Sequence, residues 1–151
     1  MDVESCEQQL GRFLPESYRA FLSLHDGGFV GLETVLPGMT STSGFRIFGA
    51  QQTTERTLAL ADDLEPFELP PAALDGLIVF ADYGNSDICL FDATRPSGGE
   101  YPVLDGFHEA VGSWRELVIA VTFEDWLRRI FDAFIEREQR LEYWLESPLR
   151  G

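Results

Sequence analysis

Side chains able to support acid-base or nucleophilic catalysis are scarce in this chain of 151 residues, which has two histidines and two cysteines. His25 falls on the apolar stripe of a predicted helix, which favours a structural role, and His108 falls in a loop after a predicted strand. A Ser-His-Asp site needs an activated serine, yet the sequence has no G-x-S-x-G elbow, and Ser41 and Ser43 lie in a loop-like segment. The sequence therefore argues against an enzyme and leaves a small hydrolase as a minor alternative.

A second chemical possibility is a calcium site in the Asp-Tyr-Gly-Asn-Ser-Asp stretch that begins at Asp82, because its side chains offer hard oxygen ligands. The spacing argues against it, since an EF-hand loop needs glycine at its sixth position and glutamate at its twelfth, where this chain has Asp87 and Ala93. A hairpin turn explains the same residues without a metal, and no cofactor is predicted. Asp82, Tyr83, Asn85 and Asp87 suit instead a surface that meets arginine or lysine of a partner.

Acidic side chains dominate the chain, whose formal net charge is −15 and whose basic residues are all arginines. Phosphate binding needs a basic patch, so we expect neither nucleic acid nor an anionic membrane as a partner. A basic protein partner is favoured, since complementary charge accelerates encounter. The alternative is that the charge reflects genome composition and the carboxylates form a solvated face. The further candidates for contact with a basic partner are Asp62, Asp63, Glu65, Glu68, Glu100 and Asp105.

The two cysteines, Cys6 and Cys89, lack the spacing of a disulfide framework or a zinc site. No basic segment followed by an apolar run begins the chain, and no run of about 18 apolar residues could span a membrane. The length predicts a single domain over residues 1–151, and we expect a reduced, cytoplasmic protein.

The best-marked element is a helix between Leu14 and Gly28. Pro15 suits its first position, and Tyr18, Phe21, Leu22 and His25 follow at helical spacing as one stripe; Gly27 and Gly28 are expected to end it. The other expected elements are a short helix over 55–64, strands over 77–82, 86–92, 101–104 and 118–121, a mobile surface loop over 36–44, and an acidic, proline-broken loop over 65–71.

A long amphipathic helix is expected from Phe123 to about Glu146, with Thr122 as its N-cap. Its end would overhang the domain and expose an apolar patch, which predicts a monomer or a weak homodimer. The alternative is that these residues fold back on the N-terminal segment and complete the core. The candidates for self-association are Leu141, Tyr143, Trp144 and Leu145.

Five segments in series, spread along most of the chain, resemble the SUKH superfamily of Smi/Knr-like proteins. They are Leu14 to Gly28, Phe45 to Gly49, Leu77 to Asn85, Tyr101 to Val103, and Thr122 to Leu127. The resemblance implies an α+β fold in which helices flank a central, mostly antiparallel sheet. It also implies a non-enzymatic immunity protein that neutralises a polymorphic or contact-delivered bacterial toxin, for example a basic nuclease, by stoichiometric binding. The alternative that it implies is a regulatory or scaffold module that binds host proteins.

Overall fold

The computed structural model describes residues 1–36, 39–83, 87–136 and 141–146, with the backbone alone for 32–36, 39–43, 134–136 and 141–145. The helices are α1 (Val3–Leu10), α2 (Glu16–Leu24), α3 (Ala50–Asp63) and α4 (Phe123–Glu136). The strands are β1 (Gly28–Leu36), β2 (Met39–Ile47), β3 (Leu77–Asp82), β4 (Ile88–Asp92), β5 (Val103–Gly106), β6 (Val118–Ala120) and β7 (Leu141–Leu145). Short 3₁₀ turns lie at Glu65–Phe67, Pro71–Ala73, His108–Ala110 and Trp114–Glu116.

The strands form one antiparallel sheet in the order β6-β5-β4-β3-β2-β1-β7. With the flanking helices this makes an α+β fold, as the sequence predicts. No helix in the described ranges has the length and apolar character needed to cross a bilayer.

Two apolar layers cover the sheet, because buried strands send alternate side chains to opposite faces. Ile78 and Phe80 of β3 join the first layer with α1, α2 and α4, whereas Leu77 and Val79 join the second layer with α3. At the centre of the first layer, the buried Tyr18 hydroxyl is 2.6 Å from the Phe48 carbonyl oxygen, to which it donates. The continuous apolar run of β3 is thus explained by burial on both sides.

Helix α2 confirms the predicted stripe, since Tyr18 and Leu22 are buried, but its predicted ends were wrong. Pro15 is the N-cap residue, and the helix ends at Leu24, before the glycines. Gly27, with φ of +91°, serves a different purpose: a Cβ there would lie 2.6 Å from the Ile47 carbonyl oxygen. The glycine permits close approach of the chain to the end of β2.

The predicted mobile loop over 36–44 was wrong. Most of it belongs to the β1–β2 hairpin, which pairs from Gly28 with Ile47 to Leu36 with Met39. Its serines and threonines resemble turn residues, but threonine also favours strands and the pairing partner lies next along the chain. Helix α3 begins five residues before the predicted start at Glu55, and α1 was not predicted.

The predicted helix from Phe123 to about Glu146 was also wrong in its second half. Helix α4 ends at Glu136, and Leu141–Leu145 is strand β7, which pairs with β1. The Asp26 N–H donates to the Glu146 carbonyl oxygen at 2.9 Å and extends the pairing. An unpaired β1 edge would leave a row of backbone donors and acceptors open, and aromatic residues favour strands, so pairing wins over helical continuation.

Candidate protein-binding groove

A groove of about 340 Å³ opens on the second face of the sheet, between α3 and the segment from His108 to Trp114. Val79 of β3 and Ile88 of β4 form its floor. Leu60 of α3 and Leu64, the residue directly after that helix, form one apolar wall, and Trp114 contributes to the other. These five side chains are buried in the second apolar layer, so the interior of the groove is apolar.

Phe67 stands at the mouth of the groove with 54% of its surface exposed. It belongs to the 3₁₀ turn after α3, where Pro66 suits the first turn of a helix. A phenyl ring left this exposed beside a buried apolar floor is of the kind found at interfaces.

The two basic side chains that line the groove both face carboxylates. Arg56 lies over the Phe48 ring at 5.2 Å, and its Nη1 is 3.5 Å from Asp82 Oδ2. Asp87 Oδ1 accepts the His108 backbone N–H at 2.8 Å and lies 2.7 Å from His108 Nδ1. Two of the predicted partner-binding carboxylates, Asp82 and Asp87, therefore border the groove. They face the basic side chains of Arg56 and His108 that line it.

The predicted acidic run lies beside the same opening. Asp62 and Asp63 end α3, and Glu65 and Glu68 belong to or follow the next turn. All four are exposed, Asp63 lines the groove, and none forms an ion pair with another described residue. Acidic side chains are unfavourable at a helix C-terminus, where the dipole is negative, so Asp62 and Asp63 do not stabilise α3.

Other predicted contact residues are engaged in the first layer. The Tyr83 ring packs on Phe45 with centroids 4.2 Å apart, and the Cys89 thiol donates to its hydroxyl at 3.6 Å. Burial raises the pKa of Tyr83. Burial and the nearby Asp87 charge also raise the pKa of Asp105. Tyr83 is therefore half-buried and not the fully exposed contact that the sequence suggested.

Glu100 lies apart from the groove, because its carboxylate binds the first turn of α2. Asn85 lies outside the described residues. So do the side chains of the candidates for self-association, Leu141, Tyr143, Trp144 and Leu145, whose backbone forms β7; weak dimerisation stays a prediction.

The acidic residues were predicted as contact candidates from the sequence, but neither their position at the edge of a groove nor the apolar groove itself was predicted. The groove is formed by three segments that are far apart in the chain, and no periodic sequence pattern links them. They are α3, the β3–β4 pair and the 108–114 segment. The available signal was Trp114, a large apolar residue that follows Gly112 and Ser113 and directly precedes two charged residues.

The model of the SMI1 / KNR4 family (SUKH-1) matches residues 1–129. The chain belongs to this family. The match covers α1 to the first half of α4 and includes every segment that lines the groove in this SUKH-1 protein. No curated protein matches the sequence. The SUKH family is known for immunity proteins, which are generally non-enzymatic and act on a protein partner.

Proposed function

We propose that this SUKH-1 protein is a cytoplasmic immunity protein that binds a cognate bacterial toxin, delivered by contact or as part of a polymorphic toxin system, and neutralises it stoichiometrically. Membership of the family is the observation that carries the proposal. The net charge of −15 supports a basic toxin, for example a nuclease, because opposite charges steer the two proteins together.

The contact surface that we propose is the acidic rim of the groove. Asp62, Asp63, Glu65 and Glu68 are exposed at one edge, and Asp82 and Asp87 lie beside the basic groups that line it. The four carboxylates of the first group, at 62, 63, 65 and 68, form no ion pair with another described residue, so they can meet a basic partner without first breaking an internal contact.

Catalysis is not part of the proposal. The groove holds His108 beside the Asp87 carboxylate, which is one requirement of the hydrolase alternative. Among the residues that the structure describes, those that line the groove include no serine, threonine or cysteine side chain to serve as a nucleophile.

Co-expression tests the function directly. A toxin gene that lies immediately beside this gene is to be expressed in a sensitive host with and without the protein, and we expect survival to be restored only with the protein. Equal killing in both cases would exclude immunity against that toxin. The absence of any toxin gene nearby would instead favour a regulatory or scaffold module that binds host proteins.

Salt dependence tests the role of charge separately. Charges that act over long range are screened within about 10 Å at 0.1 M salt. The association rate with a basic toxin should therefore fall steeply as salt rises. A rate that does not change with salt would remove steering by the acidic surface while leaving immunity intact.

A further inference from the structure

We propose that the groove between α3 and the 108–114 segment binds one large apolar side chain, aromatic or long aliphatic, from a protein segment that carries arginine or lysine next to it. This inference deepens the proposed function, on which it rests for the identity of the partner. It adds which kinds of side chain the partner must place in and beside the groove.

The size and lining of the groove define the central side chain of that segment. Its volume of about 340 Å³ is near the lower end of the roughly 300–1,000 Å³ of ligand pockets, which suits one large side chain better than a helix face. Leu60, Val79, Ile88 and Trp114 are each at most 7% exposed. An apolar group that enters would meet an apolar floor and lose its contact with water.

The groove is held open by contacts that do not depend on a ligand. The Trp114 indole N–H donates to the Phe107 carbonyl oxygen at 2.9 Å, which fixes one wall. The opposite wall belongs to α3, and the Thr57 hydroxyl of that helix accepts the Val79 N–H at 2.9 Å. Because both walls are fixed to neighbouring elements, little conformational entropy is lost when a side chain binds.

Charge complementarity defines the flanking residues. Asp63 lines the groove, and Asp62 and Glu65 lie next to it, all exposed and without an ion pair to another described residue. The basic groups of the lining, Arg56 and His108, are already held by carboxylates. Arginine or lysine beside the bound side chain would find acceptors at the rim, whereas acidic neighbours would be repelled.

The test uses a capped heptapeptide with one tryptophan and an arginine on each side of it, separated by glycines. Binding to the whole protein is followed by amide and indole NMR resonances as the peptide is raised to about 5 mM, the millimolar range expected for so small a contact. We expect saturable shifts of the Trp114 indole N–H and of the Val79 and Ile88 amides. Peptides with alanine in place of tryptophan, or glutamate in place of arginine, should bind at least about fivefold more weakly.

Matched variants locate the binding. Phe67→Ala should weaken it about tenfold and Asp63→Asn about threefold. Phe13→Ala and Asp132→Asn make the same changes at exposed positions away from the groove and should leave the affinity unchanged. Both groove positions are exposed, so these variants are expected to fold.

Three results would each overturn the proposal: no binding at 5 mM, equal binding of the alanine or glutamate peptide, or shifts centred outside the groove. Protection by the unaltered protein in the co-expression assay would then still stand, and the partner would use another surface. Conversely, specific peptide binding without protection would keep the groove and remove the toxin as its partner.

Discussion

The carboxylate of Glu100 accepts two hydrogen bonds from Ser17, from its backbone N–H at 2.8 Å and from its hydroxyl at 2.6 Å. Ser17 lies in the first turn of α2, whose N–H groups have no partners within the helix and whose dipole attracts negative charge. The Glu16 N–H donates to the Gly99 carbonyl oxygen at 3.0 Å. The loop that contains Gly99 and Glu100 therefore accepts hydrogen bonds from the first two backbone N–H groups of α2. The N-cap residue Pro15 makes no side-chain hydrogen bond to the helix. Glu100, which lies far from α2 in the sequence, supplies the missing cap.

Removal of this cap should destabilise the fold. We expect Glu100→Ala to lower the free energy of unfolding in urea by about 1–2 kcal/mol, since the cap supplies two charge-assisted hydrogen bonds. The same substitution at the exposed Glu65 should change stability by less than about 0.5 kcal/mol. Equal effects at the two positions would argue against the capping role.

Removal of a buried carboxylate at the end of β4 should destabilise the fold more than removal of Glu100. Asp92 is fully buried and accepts hydrogen bonds from the Thr94 N–H at 2.9 Å, Arg95 Nε at 2.8 Å and Arg115 Nη1 at 2.9 Å. Arg115 also donates to the carbonyl oxygens of Ala72 and Ala73, so the cluster ties β4 to two turns. We expect Asp92→Asn to cost about 2–3 kcal/mol at neutral pH, because it weakens several hydrogen bonds to a buried carboxylate, although the partly exposed guanidiniums of Arg95 and Arg115 can still meet water.

The stability lost in Asp92→Asn should be largest at neutral pH and become smaller in acid. Burial alone would raise the pKa of Asp92, but the hydrogen bonds from Thr94, Arg95 and Arg115 outweigh it and the pKa is lowered. The ionised carboxylate therefore stabilises the fold above the usual pKa, and this contribution is lost as the pH falls towards the depressed pKa. The stability difference between the natural protein and Asp92→Asn should shrink below about pH 4; a difference independent of pH would contradict it.

Replacement of Asp105 should stabilise the fold at neutral pH, whereas replacement of Asp92 should destabilise it. Burial and the charge of Asp87 raise the pKa of Asp105, and a hydrogen bond from Tyr83 does not cancel them. Its ionised form is thus disfavoured in the folded protein, so Asp105→Asn should raise the thermal midpoint at pH 7. The advantage should vanish once the pH lies below the usual aspartate pKa of about 4, where the carboxyl is protonated in both states. A lower midpoint at pH 7 would contradict this prediction.

A glycine in the hairpin should tolerate no side chain. A Cβ at Gly44 would lie 2.2 Å from the Val30 carbonyl oxygen and 2.4 Å from the Gly31 Cα. We expect Gly44→Ala to cost about 3 kcal/mol, because backbone atoms of the paired strand must move. Gly98→Ala, which has open space but a φ of +58°, should cost only about 1 kcal/mol. Chemical denaturation of the two variants provides the comparison.

Elements with strong local signals were predictable from the sequence. The stripe of Tyr18 and Leu22 indicated α2, and the apolar run from Leu77 indicated a central strand, since periodicity reports burial directly. The hairpin of β1 and β2 was missed because its threonines and glycines also suit loops. Strand β7 was missed because its leucine and aromatic residues also fit a helix, and only the open edge of β1 decides between them.

The candidate site was predictable only in part. Exposed carboxylates such as Asp62 and Asp63 follow from composition, but their position beside an apolar groove depends on long-range packing. Glu100 shows the limit: its sequence neighbours suggest an exposed acidic loop, whereas its role depends on Ser17, 83 residues away. Charge alone does not separate a cap from a contact residue.

Titration of the toxin's activity with purified protein tests the central claim most directly. If the protein neutralises by stoichiometric binding, the activity of the adjacent gene's toxin should fall linearly and reach its minimum at one equivalent. It should then stay constant over time. Progressive inactivation by about one-tenth of an equivalent would indicate catalysis, and full activity at a tenfold excess would indicate that the two do not interact; either result would contradict the account.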